Sequence, residues 1–335
     1  MPLCGCQVKN IYNMKKIIIA LATLAIFASC NKAEVIDVDR HSIAFGGAFI
    51  DNATKSAVDG SYSGTKKLQL FNVYGSVTGS GNTVVLFDGD EVTGKIGDAV
   101  WSCDEEQYWA PNSSYLFYAI ADATSVSPAE GMPTTITYNE TSTPNGDLLF
   151  ASVEDATNAS ATPAKGNPVK FTFTHLLSKA KFTFKKNAYT NTRYTYTVRN
   201  IKFTDAYQEG VYTIATSTWG SQDDKGVLSF GNLEGNLTTT NATAGLESAT
   251  ERQFVPATYT EDNQLTITFD VVMMLDGVEI SSVPNTQKFP AEDEFTFAKN
   301  TAYNFAVLLG DNNRISFTVE ALDAWDIAED DIDIQ

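Results

Sequence analysis

Few residues in this chain could make or break bonds. Two histidines, His41 and His175, and four cysteines, Cys4, Cys6, Cys30 and Cys103, are the whole supply of imidazole and thiol in 335 residues. A structural zinc site needs four converging ligands of these kinds, and a nucleophilic centre needs a base beside its hydroxyl or thiol. His175 lies in Phe173-Thr174-His175-Leu176-Leu177, between two alternating apolar runs and without a nucleophile elbow nearby, so it reads as a turn or capping residue. Asp88-Gly89-Asp90-Glu91 lacks the ligand spacing of a calcium loop and reads as a solvated hairpin turn. Trp101, Tyr108 and Trp109 could form a sugar-stacking platform, although rings in strands more often pack in a core. The expectation is therefore no catalytic, cofactor-binding or metal site, no cofactor, and no enzymatic activity.

Cys30 is the exception, because its chemistry is set by what precedes it. Met14-Lys15-Lys16 is a short basic region, followed by the apolar run 17–28. Twelve helical residues rise about 18 Å, too little for a hydrocarbon layer of roughly 30 Å. The run fits the apolar segment of an export signal, and Phe27-Ala28-Ser29-Cys30 resembles a bacterial lipobox, in which the cysteine thiol receives diacylglycerol. Residues 1–29 are thus expected to be a signal peptide with Met14 as its true start, and Cys30 the lipidation site of an outer-membrane lipoprotein. Cys103 is then the one free thiol, expected to be buried and inert.

Charge narrows the partners. The chain has 41 acidic and 23 basic residues, a net charge of -18. Lys9, Lys15 and Lys16 are the only charges in residues 1–29, so the mature chain carries -21. A polyanion needs a basic footprint, so nucleic acid is not an expected partner.

The elements that must position these residues read as strands. Apolar residues alternate at Ile43, Phe45, Phe49; at Phe171, Phe173; at Phe182, Phe184; at Leu265, Ile267, Phe269, Val271; and at Ile315, Phe317, Val319. Period two with polar residues between marks strands with one buried face. Gly, Asn and Ser clusters such as 78–82 separate them, and no sustained 3.6-residue period is present. The fold expected is all-β, with packed antiparallel sheets. The Thr, Ala and Pro-rich stretch 157–168 is the candidate linker between domains at 30–167 and 168–335.

Taken in order, several segments are similar to one family. They are Ile43-Ala44-Phe45 with Thr54-Lys55-Ser56-Ala57; Leu68–Tyr74; Trp101 with Tyr108-Trp109-Ala110-Pro111 and Leu116-Phe117-Tyr118-Ala119; Asp147-Leu148-Leu149-Phe150-Ala151; Phe173–Ala180; Phe254-Val255-Pro256; Asn300-Thr301-Ala302-Tyr303; and Trp325. The chain resembles the fimbrillin family, the Mfa-like pilin subunits of type V pili. That resemblance implies two transthyretin-like β-sandwich domains and a cell-adhesion fimbria outside the outer membrane. It implies partners that are other pilin subunits, joined by donor-strand exchange, with lipid anchoring before processing. A trypsin-like cut beyond the first strand would fall at Lys55, where arginine is usual, with Arg40 as the alternative. The removable strand would carry Ile43, Phe45, Gly47 and Phe49, and Ile332 and Ile334 form a candidate donor tail. The alternative reading is a monomeric surface lipoprotein that binds glycans.

Overall fold

The computed structural model describes residues 42–46, 49–50, 68–95, 98–110, 113–144, 146–157, 168–220, 222, 224–290, 294–310 and 315–322. All of them lie within the compact unit His41–Gln335. They contain twenty-two strands, β1–β22 in chain order, and no helix among the described residues. The period-two runs account for this, since only alternation along an extended backbone puts their apolar residues on one face.

The first large sheet runs, in spatial order, β1 (Phe49–Ile50), β9 (Thr172–His175), β8 (Leu149–Thr157), β5 (Ser114–Ala121), β2 (Leu70–Gly79), β3 (Asn82–Thr93) and β4 (Ser102–Cys103). A second orders β15 (Leu246–Glu247), β10 (Ser178–Lys186), β21 (Thr301–Leu309) and β22 (Ile315–Leu322), with β16 (Arg252–Phe254) also on β10. Packed against it is a sheet of β14 (Lys225–Gly231), β11 (Tyr194–Tyr207), β18 (Leu265–Leu275) and β19 (Val278–Phe289). A four-stranded sheet orders β13 (Thr218–Gly220), β12 (Glu209–Thr213), β7 (Thr135–Asn139) and β6 (Ser125–Ser127), and β17 (Thr258–Tyr259) pairs with β20 (Phe295–Thr296).

Most strand pairs are antiparallel, as alternation with short turns predicts. Two among the described strands are parallel: β1 on β9, and β10 on β21 through nine residues in register from Ser178↔Thr301 to Lys186↔Leu309. A parallel pair cannot be joined by a hairpin, so each brings together segments far apart in sequence.

Three apolar cores result. One joins the sheets of β10 and β11 through Phe182, Phe203, Phe269 and Phe305. Another lies on the first sheet and holds Ile43, Phe45, Phe71, Phe87, Phe117, Phe171 and Phe173. Val169, Phe171 and Phe173, which follow the expected linker, pack into this earlier core. The third contains Tyr74, Ile120, Tyr138, Leu148, Leu176, Tyr212 and Val255 and so draws on both halves of the sequence. Its sheet does likewise, since β7 pairs with β12 from Asn139↔Glu209 to Thr135↔Thr213.

The acidic run Asp88–Glu91 is not a turn. It lies inside β3, and the hairpin turn is at Ser80-Gly81. Gly89 takes φ +84° where the register of β2 and β3 slips, and its carbonyl accepts from Asn72 Nδ2 at 3.0 Å. A glycine-dependent bulge carries the same residues as a turn, which is why the sequence suggests one. Asp88 Oδ1 accepts from the Gly131 amide at 2.6 Å, so the acids hold a neighbouring loop. Among the described residues, no three His, Cys, Asp or Glu converge as a metal site would require.

Candidate functional site: the first-strand groove

The segment 42–46 lies between two other pieces of chain and bonds to both. On one side the Ile43 amide donates to Gln107 O at 2.7 Å, and the Trp101 amide donates to Phe45 O at 2.7 Å. On the other, the Val169 amide donates to Ala44 O at 2.7 Å and the Gly46 amide donates to Val169 O at 3.0 Å. The pairing is antiparallel toward Trp101 and Tyr108 and parallel toward Val169. Further along the chain, β1 keeps the parallel pairing, with Phe49 and Ile50 opposite Thr172 and Phe173.

The side chains follow the same division. Ser42 is exposed and Ala44 half-buried, whereas Ile43 and Phe45 point inward and are 5% and 0% exposed. The Phe45 ring is centred 5.1 Å from Phe87, 6.0 Å from Phe117 and 5.9 Å from Phe171. Burying such a side chain is worth roughly 1.5–3 kcal/mol. The segment is therefore both a paired strand and the plug of an aromatic groove. Gly46 is pinned in a different way: a Cβ there would stand 2.2 Å from Ala99 O and 3.2 Å from Pro168 Cβ.

The walls are supported from behind. β9, the parallel wall, is held on its far side by β8 through Leu149↔His175 and Phe150↔Thr174. His175 is no turn residue: it ends β9, is fully buried, and its Nδ1 lies 2.9 Å from the fully buried Asp147 carboxylate. Next to it the Leu176 amide donates to Leu148 O at 2.9 Å, and Trp219 Nε1 donates to Leu176 O at 2.8 Å. A polar pair in an apolar interior must satisfy itself, and here it ties two segments together.

Of the three aromatics of the expected platform, Trp101 and Trp109 pack into the first-sheet core and only Tyr108 is exposed. Trp101 is 3% exposed and stacks at a tilt on Phe71, with ring centres 5.5 Å apart. Trp109 packs edge-on to Tyr115 at 4.6 Å, and Tyr108 is 40% exposed. Burial pushes the Tyr115 hydroxyl up despite the hydrogen bond that it accepts from the Ala110 amide. Cys103 is half-buried on the edge of the same core, and desolvation, with Asp90, Asp104 and Glu105 nearby, pushes its thiol up. The groove rim beside Gln107 carries the exposed Asp104, Glu105 and Glu106.

Of the residues expected from sequence, Ile43 and Phe45 sit together in the groove. Cys30, Arg40, Gly47, Lys55, Ile332 and Ile334 lie outside the described residues, as does the side chain of Phe49. Sequence reading missed the groove-lining role of Trp101 and Val169 and the pairing of His175 with Asp147. The signal available for the last was that both sit in apolar motifs, each with one polar residue out of pattern.

Comparison with solved structures finds the same fold in proteins of low identity. A fimbrial protein from Bacteroides vulgatus superposes with a TM-score of 0.55 at 20% identity, covering 84% of this chain and 99% of that one. A candidate cell adhesion protein from Bacteroides ovatus gives 0.54 at 14% identity, covering 87% and 99%. Another from Bacteroides uniformis gives 0.51 at 15% identity, covering 85% and 98%. No curated protein matches by sequence. The fimbrillin-like family pattern matches residues 54–323, most of the sequence, and the chain belongs to the fimbrillin-like family.

Proposed function

We propose that this protein is a structural subunit of a cell-surface fimbria serving adhesion, exported as a lipoprotein through Cys30 and joined to its neighbours by strand exchange. Proteolysis after Lys55 would release the first strand with its lipid and leave the groove to a strand from a neighbouring subunit.

The observation that carries this reading is the seating of Ile43 and Phe45. A segment from the far N-terminal side of the cut fills the centre of a core and bonds along both edges. Its loss would bare apolar surface together with two rows of unpaired backbone groups, and an extended strand is the one occupant that satisfies both. The stretch 51–67 that would carry the cut follows β1 in sequence and precedes the buried Leu68. The fimbrillin-like family and the fimbrial and adhesion neighbours support the class of function. The alternative glycan-binding reading rests on three aromatics, two of which, Trp101 and Trp109, are engaged in packing contacts.

The test is mass analysis of the N-terminus of protein recovered from the native cell surface, with gel analysis of gently heated samples. A start at Ser56 together with a ladder of heat-labile oligomers is expected. Protein that uniformly starts at lipidated Cys30 and runs as a monomer would overturn the polymer reading.

A further inference from the structure

The groove is selective as well as apolar, and the selectivity can be read from its present occupant. We infer that it accepts only a strand with an aliphatic residue, then any residue, then an aromatic ring, then glycine, and that residues 323–335 of a second copy are excluded. This rests on the groove being opened and refilled as proposed above. The occupant is a strand of a different protein that carries this pattern.

Each position has its own physical reason. The Ile43 slot is closed, at 5% exposure, and holds a branched aliphatic. The Phe45 slot is walled by Phe87, Phe117 and Phe171, with ring centres 5.1–6.0 Å away. A smaller side chain there leaves a void among rigid rings, which close packing penalises. The next position is the strictest. Any Cβ would meet the Ala99 carbonyl oxygen at 2.2 Å, and that atom is backbone, so it cannot swing aside as a side-chain tip would. Moving it would drag on Trp101, two residues on, which is buried against Phe71 and bonded through its amide to Phe45 O. Residue 44, by contrast, is half-buried and leaves its position open to substitution.

The chain's own tail fails at the ring and glycine positions. Setting Ile332 and Ile334 in the two slots puts an aliphatic where the ring belongs and Gln335 at the glycine position. Trp325 is the only ring in 323–335, and Asp326 follows it. Charge adds a second and independent objection. Glu329, Asp330, Asp331 and Asp333 would be brought toward the exposed rim of Asp104, Glu105 and Glu106, like charges on like. Copies that have lost their first strand therefore find no fitting replacement in residues 323–335 of one another.

The experiment is peptide exchange. The mature chain is cut by limited trypsin, checked by mass for a start at Ser56, and incubated with fluorescent peptides read by anisotropy and by thermal midpoint. The peptide 42–50 is expected to bind and to raise the midpoint. Its Ala44→Val form is expected to bind within about threefold of the parent. Its Gly46→Val and Phe45→Ala forms are expected to bind at least about 100-fold more weakly, and peptide 323–335 not to exchange in. If the Gly46→Val peptide binds as well as the parent, or the tail peptide matches it, the selectivity is overturned while the groove stands. Failure of the parent peptide itself overturns the groove reading and the selectivity with it.

Discussion

Contacts of single residues, one apolar and one polar, decide how well the groove is built. Phe45 is surrounded by rings that cannot collapse inward, so Phe45→Ala should cost the uncut chain about 3–5 kcal/mol. Asp147→Ala removes the carboxylate partner of His175 and should cost at least about 1–3 kcal/mol, because a buried polar group loses its hydrogen bond. Urea unfolding of the purified variants measures both, and a loss below about half a kcal/mol in either would remove that residue from the account. The first of these is legible in part from the alternation of Ile43 and Phe45. The second is not, since two residues 28 apart leave no periodic trace of their meeting. Gly46 is similarly silent. Its constraint comes from Ala99 across the groove, not from a turn, so no local pattern marks it.

Among the elements, exposed edges are treated differently from the groove. β19 borders its sheet with one side unpaired among the described residues, and it carries Pro284 and Lys288. Proline removes a backbone donor and lysine keeps its charge in water, and both blunt an edge against pairing with other chains. Pro284→Val should therefore raise the aggregation rate of the purified protein, seen as light scattering on prolonged warm incubation. Unchanged scattering would mean that Pro284 does not guard β19. Strand existence is legible almost throughout, because one buried face imposes period two. The parallel pairs and the shared sheet of β7 and β12 are not, since alternation fixes which face is buried and says nothing about the neighbour. Asp88–Glu91 shows the reverse problem, a bulge whose composition imitates a turn.

For the whole molecule, stability rests on packing, and the tyrosines report it. Desolvation is the largest cause of the raised hydroxyl values of Tyr74, Tyr115, Tyr138, Tyr259 and Tyr303, with acids such as Glu140 adding to it at Tyr138. In the unfolded chain these groups ionise near pH ~10. Folded, they hold their protons to higher pH, so above that value the unfolded state binds fewer protons and stability falls as pH rises. The contribution is fully present below the ordinary tyrosine range and lost through and beyond it. Urea midpoints should thus be flat with respect to these groups from about pH 7 to 9 and decline steeply above about pH 10. A midpoint that held level to about pH 11 would show that the tyrosines titrate as if exposed.

The two parallel pairs also set an order in time. Phe49 must wait for Thr172, and Ser178 for Thr301, so each pair closes across 123 residues (172 − 49 and 301 − 178). Closing long loops is slow, and the entropy is lost before the contacts repay it. As the chain emerges from its N-terminus, the first strand is made long before the wall it will lie against. The groove is therefore completed well after its strand is made, with that strand already tethered nearby at high effective concentration. That kinetic advantage favours the chain's own strand over any rival for as long as the covalent tether is intact.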